Sequence, residues 1–341
     1  MVRYYVLRIL SIIPVLIMVT LLSYAIVAML PGNFFTRYLI AVAMNARGAN
    51  PRQEAFDQYE AVLALRGLDK PWYTQFYYWV EGIVLHGSLG YSFASGKPAT
   101  QMVLGPGSPL WWTLIIIGSS IMVGWIVGIP LGVLGAAFYR RPIDIILYST
   151  TYILSAIPPF VAGLAFFVIY NLLHPHDWLL PGAWGIVSHD LLHAPLTWTK
   201  AVSHLHRLSL TWLIVGMPIV VTVSRHLRAG LLEVLNQPFI DTARGKGLST
   251  WQVLFKHGLR NALNPLISMS GFMLTTTIGN SIIAATVLYQ PNLGGWIVIA
   301  TRSQDQPLAT AILLVFGVLL AFGTLASDLL LALIDPRIRY N

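Results

Sequence analysis

The chain has 341 residues, of which 56% are hydrophobic and 10% charged, well below the roughly 25% charged residues of a soluble domain. Its formal net charge is +8, but the basic residues flank long uncharged runs instead of forming a stripe on a soluble module, so nucleic-acid binding is not the reason for the charge. Cysteine is absent, which excludes disulfides, thiolate catalysis and Cys-ligated metals.

In chain order, the uncharged stretches are 9–30, 98–139, 145–173, 208–224, 261–301 and 306–327. Each is at least about as long as the ~17 to 25 residues that cross hydrocarbon. The excess of the two longest holds Gly, Pro and polar residues, as at Pro106-Gly107-Ser108 and Gln290-Pro291-Asn292, so each reads as one crossing plus a loop. No ~10-residue dyad repeat of a membrane barrel occurs, and helices are then the way the backbone satisfies its own polar groups. The expected fold is all-α: a polytopic membrane helical bundle with about six transmembrane helices, forming a single transmembrane domain over 1–341.

Residues 1–30 form the first span. The uncharged run is longer than the ~7 to 15 residues of a signal-peptide core, and no A-x-A pattern closes it. Segment 31–107 reads as an outer cap, with Tyr73, Phe76, Tyr77, Tyr78, Trp79, Tyr91 and Phe93 suited to the headgroup level. Residues 108–341 make a five-span core. A cytoplasmic N-terminus puts Arg3, Arg8, Arg140, Arg141, Arg225 and Arg228 inside and leaves Lys200, Arg207 and Arg302 to the short outer loops, as the positive-inside rule favours. The outer loop 174–207 carries His174, His176, His189, His193, His204 and His206. They read as solvated loop histidines; a metal site is the alternative, since imidazole is the commonest metal ligand. No resident metal or other cofactor is expected.

The cytoplasmic segment 225–262 reads as two short helices. Pro238 suits a first helical turn, Asp241 complements the positive end of the dipole, and Arg244 and Lys246 sit near the other end. Gly247 can adopt the left-handed conformation that stops a helix, and Ser249 with Gln252 forms a capping box for the next, which places Trp251, Leu254 and Phe255 on one face. A compact pair of this kind fits a groove on a soluble partner. In the fifth span, Ser268, Ser270, Thr275, Thr276, Thr277, Asn280 and Ser281 are costly against lipid and suit either tight helix packing or a polar pathway; Thr275, Thr276, Asn280 and Ser281 are the pathway candidates.

The run Asp241-Thr242-Ala243-Arg244-Gly245-Lys246-Gly247-Leu248 resembles the EAA loop of binding-protein-dependent ABC importer permeases. That motif is Glu-Ala-Ala, three residues, then Gly. Asp241, Thr242, Ala243 and Gly247 stand in those places, while His257-Gly258-Leu259-Arg260 replaces the family's downstream Ile-x-Leu-Pro. The peptide-importer branch looks like Thr-Ala-Arg-x-Lys-Gly-Leu followed by Arg-Asn-Ala-Leu, as in 242–248 and Arg260-Asn261-Ala262-Leu263. Further stretches are similar to the first, or B-type, permease subunit of that branch. They are Pro31-Gly32 closing the first span, Gly67-Leu68-Asp69-Lys70-Pro71, Gly87-Ser88-Leu89-Gly90-Tyr91-Ser92-Phe93 and Asp335-Pro336-Arg337-Ile338-Arg339. Ser88 stands where Asp is usual.

The resemblance implies a multi-pass subunit of a prokaryotic cytoplasmic membrane that moves dipeptides or oligopeptides. Its implied partners are a second homologous permease, two ABC ATPase subunits and an extracytoplasmic substrate-binding protein. The helix around 239–248 is by the same resemblance the coupling helix, with Asp241 as anchor, Ala243 permitting close approach and Gly247 setting the turn. The chain has no G-x-x-x-x-G-K-[ST], so ATP must be hydrolysed elsewhere. Nickel, glutathione and oligosaccharides are alternative solutes within the family. A secondary transporter is the alternative mechanism, but it requires inverted repeats and buried ionisable residues, and the only intramembrane charge is Asp328. An intramembrane hydrolase is not expected without G-x-S-x-G or H-E-x-x-H.

Overall fold

The computed structural model describes residues 2–29, 67–173 and 197–334, with scattered residues between 35 and 64. Four histidines of the 174–207 loop and the Asp335–Arg339 motif lie outside the described residues. Among the described residues the regular structure is helical throughout, and the nearest approach to a sheet is one isolated bridge between Tyr91 and Pro98.

The helices are α1 (Val2–Ala28), α2 (Trp72–His86), α3 (Ala99–Leu104), α4 (Pro109–Ala137), α5 (Pro142–Ala156), α6 (Pro159–Leu173) and α7 (Trp198–Thr211). They continue with α8 (Met217–Val234), α9 (Pro238–Gly245), α10 (Thr250–Gln252), α11 (Leu259–Leu288), α12 (Leu293–Arg302) and α13 (Gln306–Ile334). Two π-helical turns, Trp212–Gly216 and Val253–Gly258, join α7 to α8 and α10 to α11. Among the described residues five stretches are long and apolar enough to cross a membrane, and a sixth is reached if α5 and α6 count as one span.

That sixth stretch is the uncharged run 145–173, and it is a broken helix. α5 and α6 meet at 98°. Two consecutive prolines, Pro158 and Pro159, lack the N–H that would continue the helix, and Ile157 before them is forced to an extended φ of −89° and ψ of 119°. Charge also misplaces one end: the span expected to stop at 224 runs on as helix to Val234 through Arg225 and Arg228. The 261–301 run is divided at Tyr289, whose φ is 51°, at the loop expected around Gln290-Pro291-Asn292. In that break Leu293 N donates to Thr113 Oγ1 at 2.9 Å, Asn292 Nδ2 to the Ser281 carbonyl at 3.3 Å, and Gln290 to Thr211 Oγ1. Every one of these polar groups is withdrawn from lipid, as a non-helical backbone at that depth requires. The cytoplasmic hairpin differs as well: only α9 is a separate short helix, because α10 runs through its π turn into α11 as one stretch, Thr250–Leu288.

The chain packs as two compact units. The larger comprises 1–10, 113–294 and 320–341. Its main core joins α4, α8 and α11 through Val133, Ile219, Val223, Leu227, Leu266 and Met273. A second cluster gathers Ile116, Leu210, Ile214, Ala284 and Leu288. The smaller unit comprises 11–112 and 295–319. There Tyr24 of α1 packs edge-on against Phe76 of α2, with ring centroids 5.4 Å apart, and lies 5.5 Å from Trp79.

Candidate functional site: the α9 hairpin and the polar seams

The α9 hairpin is set by local chemistry. Pro238 begins the helix, and Asp241 and Arg244 occupy its first and last turns and approach to 3.4 Å on the exposed face. Gly247 takes a φ of +75°, a conformation costly for any residue with a Cβ. Ser249 Oγ then accepts from Gln252 N, and Gln252 Oε1 accepts from Ser249 N, which completes the expected capping box.

Packing gives α9 two faces. Ile240 is 0% and Ala243 5% exposed, held in a cluster with Val253, Val234, Leu235 and Leu248. Phe239, Asp241, Thr242, Arg244, Gly245, Lys246 and Gly247 face outward. The close approach that Ala243 permits is therefore to the protein's own chain. Beside α9, Trp251 and Phe255 stack at 5.8 Å with their rings 24° apart, both exposed. Leu254 does not join them. It is buried in the main core, because the π turn begins at Val253 and rotates successive side chains away from ordinary helical register.

The small polar residues of α11 divide in the same way. Thr275, Thr276 and Ser268 are exposed and Asn280 is half-buried, whereas Ser281 is 0% exposed and its Oγ donates to the Ile278 carbonyl at 2.7 Å. Thr277 is also buried and donates to the Met273 carbonyl. Ser270 Oγ donates to Ser327 Oγ of α13 at 2.8 Å, and Ser327 Oγ donates to the Ile267 carbonyl at 2.7 Å. A Cβ added at Gly271 would stand 3.3 Å from the Thr324 backbone, while one at Gly279 would meet nothing within 4 Å. Thus Ser270, Gly271, Thr277 and Ser281 serve helix packing, and Ser268, Thr275, Thr276 and Gly279 form the open face.

Three features escape the sequence reading. The first is Gly124, Gly128 and Gly132, a four-residue repeat on α4. An added Cβ would lie 2.4 Å from Ile219, 2.8 Å from Val223 and 2.8 Å from the Ser224 carbonyl, respectively, so this stripe lets α4 and α8 approach backbone to backbone. Its spacing is visible in the sequence. The second is Asp144 in the first turn of α5, which is buried. It receives two hydrogen bonds from Arg228 of α8, at 2.6 and 2.9 Å, and one from Arg140 N at 2.9 Å. The third is Asp305, 0% exposed, which accepts from Ser92 Oγ, from Phe93 N at 3.0 Å and from Ala94 N at 3.1 Å. Leu308 N at the start of α13 also lies within 3.4 Å of it. The sequence signal for both carboxylates is a single acid bordering an apolar run. The Gly87–Phe93 motif thereby acquires a structural reason. Gly87 and Gly90 take φ of 60° and 90°, and the turn they make delivers Ser92 and Phe93 to Asp305.

Among the described residues no group of His, Cys, Asp or Glu could hold a metal ion, and His204 lies on α7.

With this geometry in hand, a family model described as the binding-protein-dependent transport system inner membrane component matches residues 128–340. The chain belongs to this family. It is a multi-pass permease of the inner membrane. The permease is 30% identical to the oligopeptide transport system permease protein AppB of Bacillus subtilis (strain 168), over 100% of both chains. It is 29% identical to the dipeptide transport system permease protein DppB of Escherichia coli (strain K12), over 97% of this chain and 96% of that one. It is also 30% identical to the glutathione transport system permease protein GsiC of the same strain, over 100% of both. Among solved structures it is similar to the MetNI methionine ABC transporter in an inward-facing conformation. The TM-score is 0.51 at 16% identity, covering 66% of this chain and 94% of that one, which bears out the all-helical permease fold.

Proposed function

We propose that this permease moves short peptides inward as one of two homologous membrane subunits, powered by two ABC ATPase subunits and supplied by an extracytoplasmic binding protein. The observation that carries the coupling half of this reading is the two-faced α9. Its inner face, Ile240 and Ala243, is anchored in the permease, and its outer face offers Phe239, Asp241, Thr242, Arg244 and Lys246 to a partner. A helix anchored on one side and docked on the other transmits displacement, so closure of an ATPase pair rocks the spans between inward- and outward-facing states. Gly245, Gly247 and Leu248 end the docking segment and fold it back.

The peptide half rests on full-length similarity to permeases named for oligopeptides, dipeptides and glutathione, the last itself a tripeptide. Peptide amides need hydrogen-bonding partners out of lipid, and Thr275, Thr276 and Asn280 on α11 supply them; Ser281 stands behind them as a packing residue. In this arrangement the N-terminus and α9 are cytoplasmic.

The test is uptake of labelled dipeptides, tripeptides and glutathione by the complete complex in liposomes. ATP-dependent accumulation of at least one of them is expected, with loss of coupling when 238–247 is exchanged for a flexible linker. Undiminished coupled uptake after that exchange removes α9 from the mechanism. Gradient-driven uptake by this chain alone overturns the ATP-driven reading.

A further inference from the structure

Two arginines one helical turn apart on α8 have different fates. Arg228 is neutralised by Asp144 through paired hydrogen bonds and lies over the Tyr148 ring at 4.6 Å. Arg225 is half-buried and lies 4.2 Å from the centre of the Tyr152 ring, yet among the described residues it forms no ion pair. It faces a cavity of about 500 Å³ between α5, α6 and α8, whose polar lining comprises Tyr148, Ser155, Thr222, Arg225, His226 and the already neutralised Arg228. A cation partly withdrawn from water without an anion is costly, so the cavity is built to receive negative charge.

A second hollow adjoins the first and shares Tyr148, Leu154, Val221, Arg225 and Arg228 with it. It continues between α4, α5 and α8 along Leu131, Leu147 and Val220, a hydrocarbon groove leading away from the arginine. Beside it α5 turns Ile145, Ile146 and Ile153 outward. The rim is formed by Tyr148 and Tyr152, whose hydroxyls are 2.8 Å apart and whose rings are half-exposed. Tyrosines of this kind belong at the headgroup level. Basic pockets between spans attract anionic headgroups.

We infer that this cleft holds an anionic phospholipid, with its phosphate at Arg225 under the two tyrosines and an acyl chain in the α4–α5–α8 groove. A peptide carboxylate would match Arg225, but the groove offers its amides little: the Thr151 and Ser224 hydroxyls already donate to the Tyr148 and Val221 carbonyls, Thr150 is the one further hydroxyl beyond the Tyr148 rim, and Leu131, Leu147 and Val220 supply no partner. The inference rests on the membrane-embedded fold and not on the solute, so a mistaken peptide assignment leaves it standing.

The test is lipid retention by the intact complex purified from membranes containing phosphatidylglycerol, measured by native mass spectrometry after repeated detergent exchange. The wild type retains phosphatidylglycerol, R225Q lowers retention about fivefold or more, R225K preserves it, and R141Q changes it little. Unchanged retention in R225Q, or an equal loss in R141Q, overturns the proposal. Displacement of the lipid by inorganic phosphate or by a dipeptide also overturns it, because the occupant is then a free anion or the cargo. Should R225Q fail to assemble, L154W, which fills the groove and spares the arginine, must lower retention by itself; unchanged retention there counts equally against the site.

Discussion

Arg228 in α8 grips Asp144 in the first turn of α5 through two parallel hydrogen bonds, Nε to Oδ1 at 2.6 Å and Nη2 to Oδ2 at 2.9 Å. The Asp144 side chain is 4% exposed and that of Arg228 19%, so removing one partner strands the other in a poorly solvating site. Asp144→Asn is expected to cost about 3 kcal/mol, seen as a lower melting temperature of the purified complex. The paired change Asp144→Leu with Arg228→Met should cost less than Asp144→Asn alone. A double variant weaker than the single one contradicts the desolvation argument.

The glycine stripe on α4 makes a steric prediction. At Gly132 a methyl group would press on the Ser224 carbonyl at 2.8 Å and on Leu227 Cβ at 2.9 Å, whereas at Gly118 it meets nothing within 4 Å. Gly132→Ala should destabilise by about 1 to 3 kcal/mol and Gly118→Ala should be near neutral. Thermal melts of the two variants side by side decide this, and equal melting temperatures would dismiss the close α4–α8 contact.

Asp305 ties the 92–94 turn down by accepting from Ser92 Oγ, Phe93 N and Ala94 N. Asp305→Asn places an amide donor where an acceptor is required, at a cost of about 1 to 3 kcal/mol. The turn should become a protease-sensitive site between Phe93 and Lys97 before the rest of the chain is cut. Protection equal to wild type would show that the carboxylate is not what orders it.

On α9, neighbouring residues should separate stability from coupling. Ile240 is wholly buried and Phe239 is 43% exposed. Ile240→Ala should cost about 3 kcal/mol by leaving a cavity. Phe239→Ala should leave the melting temperature almost unchanged and reduce ATP-driven uptake. Full uptake by Phe239→Ala would take the outer face of α9 out of the docking surface.

Because the chain has no cysteine, single-cysteine variants report accessibility without background. Thr275→Cys and Thr276→Cys should react with a polar thiol reagent in the assembled complex, and peptide should protect them. Ser281→Cys, at a fully buried position, should react slowly. Fast labelling of Ser281→Cys would reverse the assignment of the two faces of α11.

Several parts of this protein were readable from one dimension. Hydrocarbon thickness sets a minimum uncharged length, so the spans follow from where charges are missing. The α9 boundaries follow from Pro238, Gly247 and the Ser249–Gln252 box because caps and turns are satisfied by residues three or four apart. The family resemblance belongs here as well, since it rests on short ordered motifs. What the sequence could not decide is which side of each helix faces inward. Thr276 and Thr277 are neighbours of the same type, one exposed and one buried, and Leu254 leaves its aromatic neighbours because a π turn shifts the register. Asp144 and Arg228 are 84 residues apart, and Ser92 and Asp305 are 213 apart. Pairings at such separations are fixed by how the helices pack, not by local preference. Even the continuation of α8 past Arg225 and Arg228 depended on tertiary contact, since a buried carboxylate and a tyrosine face let those two charges remain on a continuous helix.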